Sequence, residues 1–379
     1  MKKLISGLMS ACIAVSSAIA LTTSSAFNPN KDPNGDGSLT LADSTAILQY
    51  LGGYYEPSDL TELDVDDNYV VSVVDSNYVK MYDAGIINSD NYIEPAEANP
   101  AASSRTYEVY NAQNATYLRS YTLQVQQNSN SYNLQSSNTD DNDYLYDPST
   151  QVEDWSNKGV AKIFFINDDN EKAPTGTGFV VGPHTIATAA HVVYENNNDY
   201  AYKIPEILLF NENGTQYSIT PVECHFPSSY RIANGQSNTD DYALITVEEN
   251  LSNYMTFNLG APTNFASTSS LPIKIVGFPG RYDGLDENTT INTNTEHVKM
   301  LSEGVLLLNE TSTTFFYTNI LHNAYAGGGY SGSPIYTTET QNGTTYNTVI
   351  GIHIARGNVG LRFTSHVLKF YNSNPNIQY

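Results

Sequence analysis

The chain has 379 residues, with 40 Asp or Glu against 17 Lys or Arg, for a formal charge of −23. That balance excludes a general nucleic-acid binder, whose affinity rests on Lys and Arg neutralising phosphates, and it disfavours anionic membrane surfaces for the same reason. Apolar residues make up 40%, enough for a sizeable core and too many for a wholly disordered chain.

Residues 1–26 have the pattern of a secretory signal peptide, which predicts a secreted, extracellular protein. Lys2 and Lys3 give a positive start, Leu4 to Leu21 carries no charge, and Ala18-Ile19-Ala20 and Ser24-Ser25-Ala26 offer small-residue cleavage sites. As a transmembrane anchor the same stretch is only marginally long, and Ser, Gly and Thr dilute it. No later segment reads as membrane-spanning. Of the 2 cysteines, Cys12 falls in the signal, so Cys224 remains and no internal disulfide is expected. Cys224 and His225 are neighbours on a predicted strand and point to opposite faces, so Cys224 reads as a packed thiol.

Residues 27–88 carry a duplicated loop–helix pattern. Asp32, Asn34, Asp36, Ser38 (by its backbone carbonyl) and Asp43 stand at loop positions 1, 3, 5, 7 and 12, with Gly37 at the sharp turn. Calcium takes six to eight hard oxygens in flexible geometry, and this spacing supplies them. Ala46, Ile47, Tyr50 and Leu51 follow at helical period, and Gly52-Gly53 ends the helix. The pattern returns as Asp64, Asp66, Asn68, Val70 (carbonyl) and Asp75, followed by Tyr78, Val79, Met81 and Tyr82. Two such loops predict two bound Ca2+ ions. The segment resembles a type I dockerin, which implies a cohesin module of a cellulosome-type scaffold as partner. Tyr69 replaces the turn glycine of the second loop. Positions 10 and 11, which set partner choice in that family, are Leu41-Ala42 and Val73-Val74.

Residues 89–145 read as a linker or a propeptide. Glu94 to Ser104 is Pro/Ala/Ser-rich, Thr106 to Leu123 alternates enough for one or two strands, and 124–143 is polar enough for a solvated loop.

Residues 146–379 hold three blocks in order. Thr188-Ala189-Ala190-His191 follows a predicted strand, Asp240-Asp241-Tyr242-Ala243-Leu244 precedes another, and Gly327-Gly328-Gly329-Tyr330-Ser331-Gly332-Ser333-Pro334 forms a glycine-rich loop. Taken singly, each is an ordinary strand edge or turn. Together they supply a hydroxyl nucleophile, a base and a group to orient the base, with glycines that free backbone N–H groups for an oxyanion. Short apolar runs at 162–166, 206–210, 244–247, 273–276, 305–308 and 348–354, separated by turn clusters, predict a barrel or sandwich. Residues 364–371 read as a short helix capped by Ser365.

With Gly277-Phe278-Pro279-Gly280 and Val349-Ile350-Gly351-Ile352-His353 added, residues ~150–370 resemble the bacterial glutamyl-endopeptidase branch of the chymotrypsin-like serine proteases. The resemblance implies an all-β double β-barrel behind the small α-helical calcium module, and peptide-bond hydrolysis through an acyl-enzyme without a catalytic cofactor. His191, Asp241 and Ser331 would be the triad, with Asp240 a rival for the acidic role, and the N–H groups of Gly329 and Ser331 the oxyanion hole. His353 matches the histidine that accepts Glu or Asp in the family's substrate pocket. Ala326 stands where the family has a supporting hydroxyl, and Tyr330 replaces the usual small residue before Ser. The expected function is a secreted, scaffold-docked serine endopeptidase acting on peptide or protein. The alternative is an inactive protease-fold binding module.

Overall fold

The computed structural model describes residues 27–57, 59–83, 100–128, 151–195, 199–232, 240–262, 271–279, 297–307, 319–355 and 358–372. The expected signal peptide, most of the expected linker and Gly280 lie outside the described residues.

The N-terminal repeats fold as read. Helix α1 (Leu41–Leu51) buries Ala46, Ile47, Tyr50 and Leu51, and Thr40 caps it while Asp43 answers the Thr40 N–H. Strand β1 (Val70–Val71) leads into α2 (Val73–Asp83). The two halves meet at equivalent residues: the buried hydroxyls of Ser44 and Ser76, 32 residues apart, are 2.8 Å from each other.

Where a linker or propeptide was expected, β2 (Pro100–Asn111) and β3 (Tyr117–Asn128) form a long hairpin. Its alternation is visible from Thr106 to Leu123. The predicted solvated loop instead begins with strand as far as Asn128, because cross-strand pairing such as Ser104 with Gln124 supports polar residues that composition assigns to a loop.

The rest is almost all strand. In chain order these are β4 (Val152–Glu153), β5 (Val160–Ile166), β6 (Lys172–Gly182), β7 (Thr185–Thr188), β8 (Tyr194–Glu195), β9 (Tyr200–Ala201), β10 (Glu206–Phe210), β11 (Gln216–Ile219) and β12 (Pro221–Pro227). There follow β13 (Ala243–Val247), β14 (Asn258–Leu259), β15 (Ala261–Pro262), β16 (Pro272–Gly277), β17 (Met300–Leu307) and β18 (Asn319–His322). The last are β19 (Pro334–Gln341), β20 (Thr344–Ala355) and β21 (Val359–Arg362). Short helices α3 (Ser228–Ile232) and α4 (Ser365–Asn372) complete the fold. Thr364 already accepts from the Leu368 N–H at 2.9 Å, so Ser365 lies inside α4 rather than capping it.

Among the described residues the strands form two large sheets. The first runs β11-β10-β5-β6-β7-β13-β12-β2-β3, so the hairpin extends it through β2 on β12. The second runs β14-β20-β19-β16-β17-β18-β21, with β4 on β17. The hairpin is packed as well as paired: Tyr107 is buried, its ring stacks on Phe370 of α4 at 4.5 Å, and its hydroxyl lies 3.1 Å from that of Tyr242. Cys224 is buried on β12, and burial pushes its thiol up to about 12, so it is a packed thiol as expected.

The N-terminal acidic-loop module is docked on the second sheet. β1 pairs antiparallel with β15, and Val70 joins a buried cluster with Ile273, Ile275 and Met300. At the other end Asn372 donates to the Leu51 carbonyl, and the Lys369 ammonium sits 3.1 Å from the Tyr54 ring centroid. Gly53 (φ +70°) makes this approach possible, since a Cβ there would collide with Lys369.

Candidate active site

The pairing of β7 with β13 aligns Thr188 with Ala243. His191, on the 3-10 turn Ala190–Val192 just after β7, therefore faces Asp241 just before β13. His191 Nδ1 lies 2.7 Å from Asp241 Oδ2, and the His191 backbone N–H donates to Asp241 Oδ1 at 3.0 Å. Asp241 is buried while the His191 side chain keeps 30% of its surface exposed. Burial alone would depress the imidazole, but the charge of Asp241 and its hydrogen bond more than offset that, so its pKa is raised. Asp240 turns away to pair with Arg105 of the hairpin. The two neighbouring carboxylates are thus sorted: one meets the imidazole, the other a guanidinium.

Ser331 precedes β19, and its loop is seated on the first sheet. The Ser331 carbonyl accepts the Thr177 N–H at 2.8 Å, and Thr177 Oγ1 donates to the Gly329 carbonyl at 2.8 Å. Gly332 (φ +85°) leaves no room for a Cβ, which would strike Thr177 O and Thr188 Oγ1. A Cβ on Gly176 would lie 2.7 Å from the Ser331 carbonyl and 2.8 Å from Val192, the residue after His191. The glycines thus hold the Ser331 loop against the strand ends that carry His191. Gly329 has φ +94°. The N–H groups of Gly329 and Ser331 donate no hydrogen bond among the described residues.

His353 lies on β20 beside this loop. The Gly332 N–H donates to the His353 carbonyl at 2.8 Å, and the His353 N–H donates to the Ser333 carbonyl at 2.9 Å. Its buried ring meets a histidine that sequence reasoning missed. His322 Nε2 is 3.3 Å from His353 Nδ1, and His322 Nδ1 is 3.1 Å from the Ala324 carbonyl. Because a carbonyl only accepts, the network assigns the His322 proton to Nδ1 and the bridging proton to His353 Nδ1. Burial pushes His322 down to about 3, against an opposing hydrogen bond to Ala324. Burial, then the charges of His322 and His191, hold His353 well below the usual imidazole range. Ala326 is buried with Tyr325 and Tyr330 in the second sheet's core, and brings no hydroxyl. Tyr330 points into that core, where its hydroxyl accepts from Gln151 Nε2 at 2.9 Å.

The two acidic loops repeat one geometry. The N–H of Gly37 donates to Asp32 Oδ2 at 2.6 Å, and that of Tyr69 donates to Asp64 Oδ2 at 2.8 Å. Thr40 N–H to Asp43 Oδ2 and Ser72 N–H to Asp75 Oδ2 are both 2.7 Å. Tyr69 takes φ 71° where Gly37 has φ 87°, so the tyrosine keeps the turn at a cost of ~1–2 kcal/mol. Carboxylate oxygens of Asp32, Asp36 and Asp43 come within 4.8 Å of one another, as do those of Asp64, Asp66 and Asp75. Burial and then neighbouring charge raise Asp66 and Asp75. An all-oxygen set of this charge fits a hard divalent cation such as calcium. Among the described residues, these are the groups suited to a metal, and neither includes His191.

Residues 176–352 match the model of the trypsin-like peptidase domain. A glutamyl endopeptidase of Bacillus licheniformis is 27% identical over 163 residues, 42% of this chain and 44% of that protein. An extracellular metalloprotease of Bacillus subtilis is 28% identical over 208 residues, 54% of this chain and 57% of that protein. The chain thus spans about half the length of the curated relatives it matches. Among solved structures, a Glu endopeptidase in complex with MPD is similar at 20% identity and TM-score 0.43, covering 59% of this chain and 95% of that one. The protease Anisep of Arthrobacter nicotinovorans is similar at 15% identity and TM-score 0.39, covering 59% and 99%. The likeness to a trypsin-like peptidase domain thus falls on the C-terminal part of the chain, whose described residues are mostly strand with few helices. No described helix is long and apolar enough to cross a membrane.

Proposed function

We propose that the protein is a secreted serine endopeptidase with Ser331 as nucleophile, His191 as base and Asp241 as the residue that orients it. The observation that carries this is the pairing of His191 with Asp241 beside a loop that presents Ser331 between two uncommitted N–H groups. With its proton held on Nδ1 toward Asp241, His191 offers a basic Nε2 to the Ser331 hydroxyl. Ser331 Oγ attacks the scissile carbonyl as its proton passes to His191. The N–H groups of Gly329 and Ser331 receive the oxyanion, each such donor being worth about 3–4 kcal/mol of barrier. His191 then protonates the leaving amine, and water repeats the sequence on the acyl-enzyme. Asp240, held by Arg105, takes no part in the relay.

Cleavage after Glu or Asp is the preference we assign to the His353 pocket. His322 takes the supporting place that Ala326 cannot fill. In the neutral chain His353 Nε2 holds a lone pair, so admitting a carboxylate requires one proton there. Substrate carboxylate and proton would enter together.

We read residues 27–83 as a calcium module, with Asp32, Asn34, Asp36, Asp43 and the Ser38 carbonyl for one ion and Asp64, Asp66, Asn68, Asp75 and the Val70 carbonyl for the other. Its surfaces are unequal. At positions 10 and 11, Leu41 and Ala42 are exposed, whereas Val74 is fully buried and Val73 half-buried. A cohesin docks on the outward face of α1, which also exposes Leu48.

The test is cleavage of a mixed peptide library by wild type and Ser331→Ala, read by mass spectrometry. Cuts after Glu or Asp that vanish in the variant support the reading. Absence of cuts from the folded, calcium-loaded wild type favours the binding-module alternative.

A further inference from the structure

We propose that Asn358, the residue before β21, is a further specificity residue of the His353 pocket, its side-chain amide donating to the carboxylate of the substrate residue just before the cut. The inference rests on the reading of the His353 pocket as the one that accepts Glu or Asp.

Asn358 is only 2% exposed, and its Nδ2 is buried with no hydrogen-bond partner among the described residues. The backbone fixes where it stands. Its carbonyl accepts the His322 N–H at 3.1 Å. One step along, Leu321 of β18 pairs with Val359 of β21, so His322 and Asn358 stand opposite each other. Opposed residues of antiparallel strands share a face. On the other side of β21, His353 pairs with Gly360, which lies two residues beyond Asn358 and so on that same face. The register thus gathers Asn358, His322 and His353 on one face, in keeping with the 3.3 Å between the two imidazoles. Asn358 takes φ 59°, a left-handed conformation that Asn adopts more readily than most residues.

The pocket lacks such a donor. A carboxylate that leaves water for a buried site is costly unless new donors replace those it gives up. Neutral, the two imidazoles supply none: the His322 Nδ1–H is spent on the Ala324 carbonyl, and the His353 Nδ1–H on His322 Nε2. Ala326 brings only a methyl group. The Asn358 amide carries two N–H bonds and no charge, so it can meet a carboxylate without first taking up a proton. A buried amide without a partner destabilises the chain that holds it. A substrate carboxylate relieves that cost, so Asn358 favours the acidic side chain over an apolar one of similar size.

The experiment measures kcat/KM of the full chain on paired peptides that differ only in having Glu or Met before the cut. Wild type is compared with Asn358→Gly and Asn358→Asp, and thermal melting confirms that each variant folds. Gly and Asp both accept a left-handed backbone, so the turn is kept. Wild type prefers the Glu peptide. In Asn358→Gly the Glu-to-Met ratio falls by about tenfold or more, the size expected when a hydrogen bond to a charged group is lost. In Asn358→Asp it falls further, because a carboxylate there repels that of the substrate. A residue that only shapes the turn would slow both peptides alike and leave the ratio where it was. An unchanged ratio in Asn358→Gly would therefore overturn the inference and leave the pocket reading standing. A wild type that cuts both peptides equally, or neither, would overturn the pocket reading and the inference together.

Discussion

One carboxylate, Asp241, holds His191 at two points, with Oδ2 2.7 Å from the ring Nδ1 and Oδ1 accepting the backbone N–H at 3.0 Å. The ring cannot turn without breaking one contact, and its proton is kept on Nδ1. An amide at this position would present its own N–H to Nδ1 and select the wrong tautomer. Asp241→Asn should therefore lower kcat by about 10⁴-fold with circular dichroism unchanged. Asp240→Asn, which removes a different pairing, should act mainly on stability. Equal kcat losses in the two variants would contradict the assignment.

The same pair sets the pH dependence of activity. His191 must be neutral to accept the Ser331 proton, and its pKa is raised above the ordinary 6.5 by Asp241, against the opposing effect of burial. The acid limb of kcat/KM should accordingly lie above pH 6.5, with activity rising as His191 loses its proton. A limb below pH 6 would show that Asp241 does not act on His191 in the free enzyme.

The buried pair His322 and His353 predicts acid sensitivity of the fold. Both are held below 6.5, His322 to about 3, chiefly by burial. The unfolded chain then binds more protons, so their contribution is complete above pH 6.5 and is lost as pH falls toward 3. His191 has the opposite sign: its contribution is complete below 6.5 and lost as pH rises through its raised pKa. Melting temperature should fall between pH 6.5 and 3, and His322→Gln should flatten that slope. An unchanged slope would contradict the neutral pair.

The hairpin at 100–128 should behave as part of the protease. Tyr107 packs against Phe370 of α4, Tyr242 just before β13 and Tyr121 of β3. Tyr107→Ala should cost about 3 kcal/mol or more, as large aromatic truncations in a core do, and urea unfolding would measure it. A loss under ~0.5 kcal/mol would mean the hairpin is an appendage.

Much of the site was legible because its chemistry sits in short local blocks. Ala189-Ala190-His191, Asp241-Tyr242-Ala243 and Tyr330-Ser331-Gly332 each carry a functional group next to the strand that places it. The two acidic loops were equally legible as repeats, since the carboxylates of each lie within twelve positions. What sequence could not show depends on pairings between distant segments. His322 has no local signature; its strand β18 and the His353 strand β20 are far apart in sequence and are brought together by β21, which pairs with both. The choice between Asp240 and Asp241 turns on Arg105, which the hairpin brings back to the site. Residues 124–128 read as loop because Gln and Asn dominate them, yet pairing with β2 makes them strand.

The most direct test of the central claim is labelling of the calcium-loaded full chain with a fluorophosphonate, with the modified residue located by tandem mass spectrometry. The account predicts a single adduct on Ser331, absent in Ser331→Ala and strongly slowed in His191→Ala. A folded wild type that takes no label, or that takes it elsewhere, would contradict a serine-nucleophile enzyme.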